Sequence, residues 1–210
     1  MQTHESKIVL LGEGRVGKSS ILIKYIENTF DPNMKSTTKA GYMDKTLNLP
    51  EGRIKLFIWD TAGQEMYHAL SHIYYRDADG AFLVYDITDS QSFAQVQHWI
   101  KELKTVLEKT PIIIIAGNKY DCLSKQKVSK EDAENYAEKN GAHHFYTSAK
   151  TGFGIVEAFQ DLATRILKNK NQPKLQDLQL KKTSSLIIEN NTVTLTNQKE
   201  KPKNKKDGCC

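Results

Sequence analysis

The chain has 210 residues, enough for one domain of ordinary size and a tail. Its 39% hydrophobic content can fill a core, and three cysteines, Cys122, Cys209 and Cys210, exclude a disulfide framework and favour a reducing compartment. The net charge of +5 is uneven: residues 168–210 carry ten lysines against four acids, a surplus of six, which leaves residues 1–167 near −1 and argues against a nucleic-acid-binding domain.

The opening MQTHESKIVLLG has too short an apolar run for a secretory leader, and no stretch approaches the roughly 20 apolar residues that span a bilayer. A location on the cytosolic side is expected. KIVLL (7–11) reads as the first strand. It runs into GEGRVGKSS (12–20), which satisfies G-x-x-x-x-G-K-[ST] and precedes the helical stretch SILIKYIEN. Gly12 and Gly17 let backbone N–H groups close around phosphate oxygens. Lys18 supplies a point charge to the β- and γ-phosphates, the helix N-terminus adds its dipole, and Ser19 can place its hydroxyl on Mg²⁺.

KSTTKAGY (35–42) should bring a threonine hydroxyl to the same metal. IKLFIWD (54–60) alternates, and either lies half exposed or pairs antiparallel with 43–49. WDTAGQE (59–65) ends that strand on an acid, so that Asp60 would hold Mg²⁺ through water, Gly63 would offer its N–H to the γ-phosphate, and Gln64 would orient the attacking water. Both loops would be held only by γ-phosphate and metal, an order–disorder switch.

GAFLVYD (80–86), IIIIAG (112–117) and HHFYTS (143–148) read as further strands. Phe93, Val96, Trp99, Ile100, Leu103 and Leu107 recur at helical spacing, as do Ile155, Phe159, Leu162 and Ile166. Ser129 and Asp132 predict a capping box for a helix over 130–139. Alternating strands and helices imply a largely parallel sheet covered on both faces. NKYD (118–121) ends the IIIIAG strand, where nucleotide sites of open α/β sheets gather. Asp121 can accept from the N1–H and 2-amino group of guanine, donors that adenine lacks. Asn118 would tie this loop to the phosphate loop, the stem of Lys119 would cover one face of the base, and Ala149 in TSAK (147–150) would offer its N–H to the guanine O6. An ATP-dependent kinase is disfavoured by NKYD. His143-His144 is not expected to bind metal, because neighbours on a strand point to opposite faces.

In this order across residues 7–168, these motifs resemble the Ras superfamily of small GTPases. WDTAGQE followed by IYYRDADGAFLVYDIT (73–88), with a terminal Cys-Cys, is similar to the Rab family, and GEG and HAL resemble its endocytic members. The resemblance implies a P-loop GTPase fold, an α/β architecture with a mostly parallel six-stranded sheet, one antiparallel edge strand and helices on both faces. It implies slow GTP hydrolysis with Mg²⁺, with Gln64 catalytic and Ser19, Thr37 and Asp60 at the metal; Thr38 is the alternative to Thr37. The implied nucleotide contacts are Gly12, Gly14, Arg15, Val16, Gly17, Lys18, Ser19, Ser20, Phe30, Thr37, Gly63, Asn118, Lys119, Asp121, Ser148, Ala149 and Lys150. Among these, Phe30 falls where the family stacks an aromatic edge on guanine, and Gly14 leaves room for Gln64 and an incoming arginine.

Tyr42, Trp59 and Tyr74 match the aromatic trio read by Rab effectors. Departures occur around them: Met66-Tyr67 replaces Arg-Phe, and TKAGY puts Lys39 and Gly41 on the effector surface. Cys122 stands where leucine is usual and is expected to be a buried small hydrophobe. No arginine lies between Arg15 and Arg53, so switch I lacks a cis arginine, and an intrinsic rate on the order of 10⁻⁴ s⁻¹ is expected, raised about 10⁵-fold by a GAP.

The implied organisation is a GTP-binding domain over 1–168, a flexible tail over 169–208 and geranylgeranylated Cys209 and Cys210. SSLII within the tail reads as part of an unstructured spacer. Two chains are needed for lasting attachment, and lysines 199–206 add attraction to an anionic leaflet. The implied partners are a GAP, an exchange factor, a GDP-dissociation inhibitor or escort protein, effectors and an endosomal or vesicle membrane, with a cytosolic pool and no nucleic acid. The competing expectation is a membrane scaffold that holds GTP with negligible hydrolysis.

Overall fold

The computed structural model describes residues 3–37, 41–61 and 75–172. Strand β1 (Thr3–Leu11) leads through the glycine loop to helix α1 (Lys18–Glu27). The hairpin β2 (Gly41–Leu49) and β3 (Gly52–Asp60) follows, closed by Pro50 and Glu51. Then come β4 (Gly80–Asp86), α2 (Ser90–Val106), β5 (Ile112–Asn118), a 3₁₀ segment (Tyr120–Lys125), α3 (Lys130–Lys139), β6 (His143–Tyr146) and α4 (Ile155–Asn171).

These strands form a six-stranded sheet in the order β2-β3-β1-β4-β5-β6. All neighbours are parallel except β2 with β3, so the mostly parallel sheet with one antiparallel edge strand is found, and the pairing proposed for 43–49 extends to Gly41. Strand β1 is longer than its apolar run because its two halves have different neighbours. Thr3–Leu10 pairs with β3 along its length, but β4 joins only from Ile8 onward. Only that doubly flanked half needs continuous apolar residues; the preceding HESK can remain partly wet.

Alternation along β1 divides the core. Ile8 and Leu10 point to one face, packed with Ile21, Phe82, Phe159, Leu162 and Ile166 beneath α1 and α4. Val9 and Leu11 point to the other, packed with Leu83, Val96, Ile100 and Leu103 beneath α2 and α3. The helical periodicities at 93–107 and 155–166 mark these buried stripes. Helix α2 begins at Asp89, whose carboxylate accepts from the Gln91 N–H at 3.0 Å. At α3 the Ser129 hydroxyl accepts from the Asp132 N–H at 3.0 Å and itself donates to the Asp132 carboxylate at 2.6 Å. The predicted box is therefore present with its reciprocal bond moved to the hydroxyl.

His143 and His144 diverge across β6. The Nδ1 of His143 lies 2.8 Å from Asp161, and the Nε2 of His144 lies 2.9 Å from the Tyr85 hydroxyl. Burial, aided by the Lys130 charge, lowers the His144 pKa to about 4. An unfolded histidine protonates near pH 6.5. Between those values the unfolded chain holds a proton that the folded one refuses, so this contribution to stability is complete above pH 6.5 and is lost as pH falls towards 4. His144→Gln, which keeps a polar partner for Tyr85, should flatten urea-unfolding stability over that window by up to about 3 kcal/mol; an unchanged pH slope would contradict the assignment.

Candidate functional site

A cleft of about 670 Å³ opens where β1, β3 and β5 end, within the size range of small-molecule sites. Gly17 occupies the N-cap of α1 at φ 99°, a left-handed conformation that suits glycine, and a Cβ there would collide with the Asn118 amide. As the N-cap, Gly17 has no side chain with which to satisfy the first N–H groups of α1, which leaves them available to a ligand. Lys18 is 5% exposed and donates to the carbonyls of Gly12 and Glu13, both at 2.8 Å. Burial lowers its pKa to about 8, against the pull of Asp60 and Glu13. Desolvated in this way, its charge favours a compact anion beside it.

Oxygen atoms converge next to Lys18. The Ser19 hydroxyl lies 2.6 Å from that of Thr37 and bonds one oxygen of the buried Asp60 carboxylate. The other Asp60 oxygen is buried without a hydrogen-bond partner among the described residues. Burial raises the Asp60 pKa, while the Ser19 bond and the Lys18 charge oppose the rise. Two hydroxyls and a carboxylate with an orphaned oxygen fit a hard cation such as Mg²⁺, which needs few protein ligands when phosphate supplies the rest. The described residues hold no group of three or more His, Cys, Asp or Glu that would suit a softer metal.

The far end of the cleft is made by the loops after β5 and β6. Asn118, 1% exposed, donates from Nδ2 to the Val16 carbonyl at 2.8 Å. Its Oδ1 accepts from the Ala149 N–H at 3.2 Å and the Thr147 hydroxyl at 3.4 Å. One amide thus joins three loops. Ala149 therefore spends its N–H on Asn118 in this structure. Asp121 is exposed, with Oδ1 accepting from the Ser148 hydroxyl at 2.6 Å. Lys119 sits at φ 65° and reaches Asp86 at 2.6 Å. Burial works to raise the Asp86 pKa, but bonds from Lys119 and Thr88 and the Lys119 charge outweigh it and hold the carboxyl below its usual range.

Of the predicted contacts, Gly14, Arg15, Gly17, Lys18, Ser19, Ser20 and Phe30 line the cleft on one side. Thr37, Asn118, Lys119, Asp121, Ala149 and Lys150 complete it. Gly12, Val16 and Ser148 stand behind this wall and act through a carbonyl, a carbonyl and a hydroxyl. Thr38, Lys39, Gly63, Gln64, Met66, Tyr67, Tyr74, Cys209 and Cys210 lie outside the described residues. Tyr42 is 59% exposed and leans on Trp59, with ring centres 5.3 Å apart across the β2–β3 pair. The expectation for Cys122 is corrected: it is only partly buried, its thiol 3.6 Å from Asp121, because the 3₁₀ segment carrying it has no buried residue. Asp86 was not singled out from the sequence, although it ends the β4 strand on an acid as Asp60 ends β3.

A model described as "Ras family" matches residues 7–168. The chain belongs to the Ras family. Proteins named Ras-related protein Rab-21 are similar to it: that of Geodia cydonium is 52% identical over 166 residues, covering 79% of this chain and 72% of its own. The Homo sapiens protein is 48% identical over 167 residues, covering 80% and 74%. The Dictyostelium discoideum protein is 44% identical over 215 residues, covering 97% and 95%. This small GTPase is of the Rab kind, hydrolyses GTP, uses GTP, GDP and Mg²⁺, and serves vesicle trafficking.

Asn118→Ala would free a buried carbonyl and a buried N–H at once. The GTPase should lose about 1–3 kcal/mol of unfolding free energy without added nucleotide. Urea titration checks this, and a loss within error would show that the three loops hold together without the amide.

Proposed function

We propose that this GTPase is a membrane-anchored switch of endocytic membranes, alternating between a GTP-bound form that recruits effectors and a GDP-bound form that does not. The observation that carries the reading is a cleft with Lys18 and the Ser19 and Thr37 hydroxyls at one end and Asp121 and Ala149 at the other, bridged by Asn118. The phosphate end takes the triphosphate on the α1 N-terminus and Lys18. Ser19, Thr37 and Asp60 would hold Mg²⁺, which would supply charge neutralisation to the phosphates. Asp121 reads the guanine edge, Lys119 and Phe30 flank the base, and the backbone from Gly14 to Ser20 wraps the phosphates. Gln64 and Gly63 lie outside the described residues, and by the family resemblance Gln64 would orient water and Gly63 would donate its N–H to the γ-phosphate.

Because Thr37 bonds Ser19 and Asp60 bonds Ser19, the metal position links both switch segments to the phosphate loop. Loss of the γ-phosphate would loosen that link, and the exposed Tyr42 with Trp59 and Tyr74 would change its presentation to effectors. A GAP, an exchange factor and a GDP-dissociation inhibitor or escort protein would run the cycle. Among the described residues no helix is long and apolar enough to cross a membrane. Attachment would come from two geranylgeranyl groups on Cys209 and Cys210, with the lysines of 199–206 facing an anionic leaflet and a cytosolic pool between rounds.

Single-turnover hydrolysis tests the switch. Protein loaded with labelled GTP should resist excess ATP and release phosphate at a rate on the order of 10⁻⁴ s⁻¹ without a GAP. Gln64→Leu should slow that release further. Absence of release even with broad-range Rab GAPs would make the protein a GTP-holding scaffold, and displacement by ATP would overturn the guanine reading.

A further inference from the structure

Tyr120, the third residue of NKYD, stacks on two other rings. Its ring is stacked on Tyr146 at 4.7 Å and 25°, and on Phe153 at 5.2 Å and 16°. Phe153 is nevertheless 55% exposed, a large apolar side chain on the surface that contributes little to the core. Its backbone is engaged as well: the Phe153 carbonyl accepts from the Ser148 N–H at 3.0 Å. Ser148 in turn donates its hydroxyl to Asp121 at 2.6 Å, and Asp121 follows Tyr120 in the chain. The contacts form a closed ring: Tyr120 to Asp121 by covalent bond, Asp121 to Ser148, Ser148 to Phe153 by hydrogen bonds, and Phe153 back to Tyr120 by stacking. A second tie, the Tyr120 N–H donating to the Thr147 carbonyl at 3.0 Å, crosses the same gap.

We propose that Tyr120 and Phe153 are positioning residues that hold the Asp121 carboxylate in register for the exocyclic amine of guanine, and so set both the lifetime of bound nucleotide and the preference for guanine over hypoxanthine. The inference rests on the guanine reading of the cleft. Asp121 is itself exposed, and among the described residues its partners are the Ser148 hydroxyl and a distant Cys122 thiol. Its direction is therefore fixed by the two loops and not by burial. Stacking of rings ties the two loops together in addition to those hydrogen bonds, and an aliphatic residue at 153 would remove one of the two stacked pairs that Tyr120 makes.

The test uses full-length protein and Phe153→Ala, which removes an exposed ring and leaves the core intact. Fluorescent GDP is allowed to dissociate in the presence of Mg²⁺, and unlabelled GDP and inosine diphosphate, which lacks the 2-amino group, compete for the site. Loss of one stacked pair should speed GDP dissociation roughly 2- to 10-fold. It should lower the GDP-over-IDP preference by a similar factor, and Phe153→Tyr should restore both. Phe153→Leu, which keeps bulk without a ring, should behave like the alanine variant and decides the matter if the latter melts early. Unchanged GDP dissociation, or an unchanged GDP-over-IDP preference in competition, would overturn the proposal and leave the guanine reading standing. A wild-type protein that binds neither diphosphate would overturn the guanine reading itself.

Discussion

The Asn118 side chain is the interaction on which the site depends. A carboxamide has donors on one end and an acceptor on the other, and here both ends are used inside the protein, towards Val16 and towards Ala149 and Thr147. Gly17 lies so close to it that only a glycine fits, so the phosphate loop is shaped against the base loop. Charge and shape at the two ends of the cleft are therefore coupled: a ligand held at Lys18 would meet the loops after β5 and β6 at a fixed distance. Preorganisation of this kind lowers the ordering cost of binding, which is where affinity for a polar ligand is otherwise lost.

The two ends of the cleft are built on different principles. At the Lys18 end the protein buries charge, with Lys18 and Asp60 both desolvated and one Asp60 oxygen without a partner among the described residues. Such groups are costly alone and become favourable when anion and cation arrive together. At the other end the Asp121 carboxylate stays exposed, and rigidity comes from neighbours: the Ser148 hydroxyl, the Lys119–Asp86 pair and the stacked rings of Tyr146, Tyr120 and Phe153. Buried charge at one end and loop rigidity at the other thus come from different residues, joined through Asn118.

Much of this was legible in the sequence because the motifs are local. A loop that must wrap phosphate needs its glycines, lysine and serine at fixed positions within one short stretch, so GEGRVGKSS announces itself. The central strands were equally plain, since doubly flanked strands are apolar throughout. The N-terminal half of β1 was hidden because a strand with one neighbour tolerates HESK. The Asp86–Lys119 pair and the Tyr120 sandwich were hidden for a different reason: their partners come from separate loops, and no spacing within one segment encodes them. Cys122 misled because a residue in the place of a leucine suggests burial, whereas the 3₁₀ segment that carries it lies on the surface.

The central claim is that phosphate loop, metal oxygens and base loops form one site for a guanine nucleotide. Its most direct test is the nucleotide that the full-length chain carries through purification with Mg²⁺ present. Denaturing the protein and separating the released bases by chromatography should yield guanine nucleotide in stoichiometric amount, chiefly GDP. Adenine nucleotide in its place, or no nucleotide from protein that is folded, would contradict the account.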